Sequence, residues 1–207
     1  MRLQSSYFSA AVLAVLLTAC GTTGPTRFYT LAGPVAATAT APASQPARQR
    51  LLIEVLPVSV PERLARPQIV VRTDDARVDI LEQDRWSAPL NNELRDALAS
   101  GIANRLGAID VTRSGRPANQ PAYRIAVELR QLDAVRNGNV QAGFSWTITR
   151  TDDARTATCS LTLVEPVSGG GVDALVLGMR KAVDRAVEAI AANVVRVQDG
   201  KSGGCST

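Results

Sequence analysis

Between Tyr123 and Pro166 apolar and polar side chains alternate over three successive runs: "YRIAVELRQLDAV", "NVQAGFSWTITR" and "ARTATCSLTLVEP". A period of two is the signature of a strand with one buried face. Asn137-Gly138 between the first two runs is a strong hairpin signal, and Asp152-Asp153 joins the second to the third. This segment is therefore expected to be a three-stranded antiparallel meander. One face is apolar (Phe144, Trp146 and Ile148 among others), so something else in the chain must cover it.

Two segments have the pattern to do so. Leu90, Leu94, Leu98, Ile102 and Leu106 recur every four residues, with Ala97 filling in and Asn91, Asn92, Glu93, Arg95 and Asp96 on the other side. That spacing predicts a helix. Ser87 is its expected N-cap, Pro89 is tolerated in the first turn, and Gly107 ends it. A second helix is expected from about Asp173 to Val197, with Leu175, Val176, Met179, Val183, Val187, Ile190 and Val194 on one face, after the flexible joint of glycines 169–171.

Upstream, "LLIEVLPVSVP" reads as a buried strand stopped by Pro61. Residues 68–73 and 76–83 read as two strands of a hairpin turned at Asp74-Asp75. In the second of these, Val78 and Ile80 alternate with Arg77 and Asp79, which predicts one wet face. Residues 108–113 form a further short strand. Strands in runs with only two helices predict an α+β fold: a mixed, largely antiparallel sheet with two long helices packed on one face. The domain is expected to span 51–198, with a polar tail at 199–207.

The N-terminus has another character. Arg2, then an apolar stretch to Leu17, then small residues, is the layout of a secretory signal at 1–19. Ala10 to Leu17 is too short to cross a bilayer, which takes ~20 apolar residues. Leu17-Thr18-Ala19-Cys20 resembles the bacterial lipobox, in which the Cys thiol is acylated and the chain is cut before it. Two or three acyl chains make a stable anchor, since each buried methylene contributes ~0.8 kcal/mol. Gly21, in place of the Asp that marks inner-membrane retention, favours the outer membrane by the same resemblance. Residues 20–50, rich in Ala, Pro, Thr and Ser, read as the lipidated Cys and a flexible tether. Inside that stretch "TRFYTL" (26–31) is an aromatic patch, with packing as a short strand on the domain as the alternative to floating.

Composition removes several function classes. The formal charge is +4, without any cluster of Lys or Arg, so no nucleic-acid partner is expected. A chain with no His cannot build Ser-His-Asp or Cys-His catalysis or the usual zinc sites. No Gly-x-Ser-x-Gly occurs, and the pairs Asp74-Asp75 and Asp152-Asp153 sit at turns, where Asp is favoured by its bonds to the backbone. No enzyme activity, metal or cofactor is expected. Three cysteines are present and no CxxC. Cys159 and Cys205 are a candidate disulfide of an oxidising compartment, with a buried, inert Cys159 thiol as the competing reading.

Three motifs in order resemble the ABC-type transport auxiliary lipoprotein family, which includes paraquat-inducible protein C-like lipoproteins. They are Phe28-Tyr29-Thr30-Leu31; then Pro61, Leu64, Arg66, Pro67, Gln68, Ile69, Val70 and Arg72; then Glu82, Arg85, Trp86, Pro89 and Leu90. Glu62-Arg63 departs from the pattern, where an aromatic is common. The resemblance implies a non-catalytic, outer-membrane-anchored accessory whose partners are an MCE-domain protein and an ABC permease/ATPase complex that move lipid across the envelope. Phospholipid and a homo-oligomer are further candidate partners, and the alternative functions are a periplasmic lipid-binding carrier or a structural lipoprotein of another envelope machine. Arg66, Gln68, Arg85 and Trp86 are candidate partner-binding residues, because Arg and Trp are enriched at interfaces. The competing reading packs Trp86 into the core and pairs Arg66 or Arg85 with Glu82 or Asp84.

Overall fold

The computed structural model describes residues 24–33, 50–117, 120–201 and 205. The signal peptide, Cys20 and much of the expected tether lie outside them. In chain order the elements are β1 (Arg27–Tyr29), β2 (Leu52–Val55), a single 3-10 turn (Glu62–Leu64), β3 (Gln68–Arg72), β4 (Val78–Trp86), α1 (Leu90–Leu106), β5 (Ile109–Asp110), β6 (Ala122–Ala134), β7 (Asn139–Arg150), β8 (Thr156–Pro166) and α2 (Val172–Gln198). The fold is α+β, with its strands divided between two sheets. One has the order β5-β2-β6-β7-β8 and the other β1-β4-β3.

The meander forms as the alternation dictates, with β7 antiparallel to both β6 and β8. Asn137 takes φ 54° at the first turn and Ala154 takes φ 55° at the second. Asn tolerates the left-handed region; for Ala it costs roughly 1 kcal/mol. On the other side of β6, β2 pairs in parallel, with Ile53 opposite Tyr123 and Val55 opposite Ile125.

Both helices cover one face of the five-stranded sheet. Leu94, Leu98 and Ile102 of α1, Leu175, Met179 and Ile190 of α2, and Ile125, Leu129, Phe144 and Ile148 of the sheet share one core and are essentially inaccessible. Burying each such side chain stabilises the fold by about 1.5–3 kcal/mol before entropy is counted. The helices touch closely at Gly101, where a Cβ would stand 2.8 Å from Val187 Cγ2. Gly107 closes α1 in the left-handed conformation, with its N–H donating to Ala103 O.

Two expectations need correction. Ser87 does not cap α1: Pro89 holds the N-cap position without a side-chain bond, and Ser87 Oγ donates to Glu93 Oε1 at 2.5 Å. The aromatic patch at 26–31 takes its strand reading, with β1 paired to β4. The wet-and-dry alternation expected for 76–83 fails, since Val78 and Ile80 are 41% and 40% exposed along with their polar neighbours. β3 beside it is buried at Ile69, Val70 and Val71, but β1 pairs with β4 only at Asp84, Arg85 and Trp86, so the first half of β4 is an open edge with neither face fully covered.

Candidate functional site

The first motif enters the domain through backbone and charge. Arg27, Phe28 and Tyr29 run parallel to Asp84, Arg85 and Trp86. Arg27 Nε donates to Asp84 Oδ1 at 2.7 Å, and Ser87 N donates to Tyr29 O at 2.8 Å. Glu93, 6% exposed in the first turn of α1, gathers the next two residues. Its Oε2 accepts from Thr30 Oγ1 at 2.7 Å and from Leu31 N at 2.9 Å. A carboxylate near a helix N-terminus is favoured by the helix dipole, and each hydrogen bond to a charge is stronger than a neutral one. Arg180 of α2 closes the clasp by donating to Ala32 O at 2.9 Å. Burial of Tyr29, with the charges of Asp84 and Asp173 nearby, pushes its hydroxyl up to about 12.

This docking brings most of the candidate partner-binding residues together. Phe28 is the strand partner of Arg85, which is in turn that of Gln68. Directly paired residues share a sheet face, so Phe28, Arg85 and Gln68 form a row across the three-stranded sheet. Phe28 is 67% exposed. Gln68 Nε2 donates to Glu82 Oε2 at 3.1 Å and Arg85 Nε to Glu82 O at 3.1 Å. Arg66 lies just before β3, half-buried, and its Nε has no hydrogen-bond partner among the described residues. Pro67 O accepts Trp86 N at 2.8 Å, which joins the second and third motifs. Trp86 is not part of this surface. It faces the core at 5% exposure, because consecutive strand residues point to opposite faces and Arg85 takes the outer one. Phe28 was missed as a surface candidate, since a strand aromatic reads by default as core.

A second cluster was not anticipated. Asp133, 6% exposed, accepts from Arg63 Nη1 at 3.0 Å, Arg72 Nη2 at 3.1 Å and Gln131 Nε2 at 2.8 Å. Burial alone pushes this carboxyl up, but Gln131, Arg63 and Arg72 outweigh it and hold it below the usual carboxylate range. A β-bulge creates the site. Leu129 pairs with Phe144 and Gln131 with Gly143, which leaves Arg130 unpaired. The extra residue reverses the strand's parity, so Asp133 leaves the face that Ile125 and Leu129 share, and Leu132 and Ala134 take the inward positions.

The remaining polar groups serve the frame. Asp74 Oδ1 accepts from Ala76 N and Arg77 N at the β3–β4 turn. Those bonds, with the Arg77 guanidinium, hold its carboxyl below the ordinary range. Asp153 pairs with Arg155 at the β7–β8 turn. Cys159 and Cys205 are joined in a disulfide with Cα atoms 5.5 Å apart, which ties the tail after α2 back to β8. Surface depressions are open: one of about 390 Å³ is lined by Thr73, Arg77, Val78 and Asp79. Among the described residues no group of three or more His, Cys, Asp or Glu could hold a metal ion, and no helix is long and apolar enough to cross a membrane.

The family model described as ABC-type transport auxiliary lipoprotein component matches residues 29–191. Two crystal structures are similar in fold. One is of an uncharacterized protein, with a TM-score of 0.64 at 20% identity over 83% of this chain and 99% of that one. The other is of protein XCC0632 from Xanthomonas campestris, with a TM-score of 0.58 at 16% identity over 75% of this chain and 92% of that one. At such identities the likeness is one of fold alone. No curated protein matches the chain.

Proposed function

Because the chain belongs to the family of ABC-type transport auxiliary lipoprotein components, we propose that it is a non-catalytic accessory of an envelope lipid-transport system. Cys20 is acylated and holds the domain on the periplasmic face of the outer membrane. The domain docks or receives the periplasmic MCE-domain component of a system powered by an ABC permease and ATPase. One observation carries this reading: the matched region runs from Tyr29 in β1 to Ala191 in α2, so the motif nearest the lipid is part of the domain rather than a leader. The Phe28–Arg85–Gln68 row supplies the docking surface, with an exposed aromatic beside a guanidinium.

A carrier of free phospholipid is supported less well, because the apolar face of the five-stranded sheet is filled by both helices. The test is capture of the acylated protein from detergent-solubilised envelopes of its native host. Co-recovery of an MCE-domain protein or an ABC permease is the expected result. Recovery of neither, from a sample whose Cys20 carries lipid, overturns the transport reading while leaving the anchor intact.

A further inference from the structure

We propose that the open edge of β4 at Val78 and Ile80 is a strand-addition site, and that its occupant is an extended segment of the transport partner in which apolar and basic residues alternate. The identity of that partner rests on the accessory reading above; the edge and its chemistry do not.

Backbone direction defines the edge. In an antiparallel pair, opposed residues alternate between those that exchange hydrogen bonds and those that do not. Thr73 N donates to Arg77 O at 3.1 Å, so Arg77, Asp79 and Leu81 turn their backbone groups to β3. Val78 and Ile80, opposite Arg72 and Val70, turn theirs away from it. Arg72 obeys the same alternation, because it bridges to Val135 on its other side. Val78 and Ile80 therefore each present an N–H and a carbonyl to an edge that no strand among the described residues covers. β1 is itself a strand added to this edge, in parallel, and it begins only at Asp84. The chain before it does not continue the pairing: Thr26 Oγ1 bonds Gln83 Oε1 at 3.0 Å, and Pro25 has no N–H to give. Glu82 O already accepts from Arg85 Nε at 3.1 Å.

Side chains select the occupant. Natural sheet edges are commonly blunted by Lys or Pro, and neither occurs between Val78 and Gln83. Val78 and Ile80 are β-branched and exposed. Ile80 pairs with Val70, two residues from Gln68, so both lie on the face that carries the Phe28–Arg85–Gln68 row. Asp79 lies on the opposite face. Arg77 is held by Asp74 and Arg72 by Asp133, so among the described residues no cation answers Asp75 or Asp79. A strand with apolar residues against Val78 and Ile80, and Lys or Arg across from Asp79, matches both faces. A second copy of this chain is the poorer occupant, because pairing β4 with β4 draws the carboxylates of Asp79 and Glu82 toward those of the other copy.

The test uses the full acylated chain in detergent and, as probe, a short peptide of alternating Val and Lys. Its controls are the same peptide with Glu for Lys and the same peptide with alternate backbone nitrogens methylated. Residue-resolved hydrogen exchange is the readout. In the free chain Val78 and Ile80 should exchange fast, and Asp79 and Leu81 slowly. The Val-Lys peptide should slow exchange at Val78 and Ile80 at least about tenfold, and neither control should. Binding should be lost in Ile80→Pro, which removes an outward N–H without breaking the ladder to β3. It should be lost equally in the double variant Val78→Lys, Ile80→Lys, which serves where the proline variant fails to fold. No peptide binding, binding without protection at Val78 and Ile80, or equal binding of the Val-Glu peptide overturns the inference. Undiminished co-recovery of a transport component from native envelopes by the lysine variant also overturns it and leaves the accessory reading standing. Recovery of no transport component by the parent chain, with the Val-Lys peptide bound as expected, overturns the accessory reading and the partner named here while upholding the edge as a strand-addition site.

Discussion

Glu93 holds Leu31: the carboxylate accepts the Leu31 N–H at 2.9 Å across 62 positions of sequence. The same side chain accepts from Thr30 and Ser87, so one buried carboxylate joins the N-terminal strand to the helix start. Glu93→Ala leaves those donors unanswered and should cost about 2–4 kcal/mol. Hydrogen exchange at Tyr29, Thr30 and Leu31 should then rise well before the core opens. Unchanged protection there would show that strand pairing alone holds the segment.

Asp133 ties the 3-10 turn and β3 to β6, and its carboxyl is held below the usual range in the folded state. An unfolded chain therefore binds more protons near pH 4, and stability rises with pH through that window. The contribution is present above about pH 4 and is lost as pH falls through the lower folded value. Asp133→Asn should lose about 1–2 kcal/mol near neutrality, a modest figure because Arg63 and Arg72 are partly exposed. Urea unfolding of both proteins should show the gap shrink toward pH 3. A constant gap would mean that the ion pairs contribute nothing.

Gly101 meets Val187 where α1 crosses α2. In an open helix, Gly→Ala gains about 1 kcal/mol. Here the added Cβ would stand 2.8 Å from Val187 Cγ2 and 3.0 Å from Cγ1, so Gly101→Ala should instead cost about 1–3 kcal/mol. In a Val187→Ala background the same change should become neutral or stabilising. A double-mutant cycle reads this directly, and simple additivity would contradict the close approach.

The Cys159–Cys205 bond closes a separation of 46 residues. By the chain-entropy argument such a loop contributes up to about 4 kcal/mol. Cys205→Ser should lower the free energy of unfolding by about 2–4 kcal/mol, and reductant should lower that of the parent but not of the variant. Insensitivity of the parent to reductant would exclude the pairing.

Arg85→Glu reverses a charge in the exposed row without disturbing Trp86 behind it. Thermal stability should change little, while co-recovery of the MCE-domain component should fall at least about tenfold if this row docks it, since charge reversal at an interface costs more than truncation. Undiminished capture would move the docking surface elsewhere.

Much of the architecture was legible because it follows from short-range periods. Alternation marked β6, β7 and β8, the four-residue spacing of Leu90, Leu94, Leu98 and Ile102 marked α1, and Gly107 marked its end. The bulge was also written in the chain: the apolar parity of Ile125, Val127 and Leu129 switches at Leu132 and Ala134, a signal that finds Asp133. Ser87 misled because a hydroxyl before a helix is the usual cap, and only the folded position of Glu93 gave it another partner.

By itself the sequence determined which segments become strands and helices and, outside β4, which faces must be buried. It also placed Cys20 directly after an apolar run in a pattern that resembles a lipobox, because these properties depend on residues within a turn or two of one another. Tertiary structure alone decided that Arg27 meets Asp84, that Leu31 meets Glu93, that Asp133 gathers Arg63 and Arg72, and that Phe28 stays in solvent while Trp86 does not. Those contacts join positions some sixty or seventy apart, and no local period carries the information that selects such partners. They form only once the core has fixed where each strand edge and helix end lies.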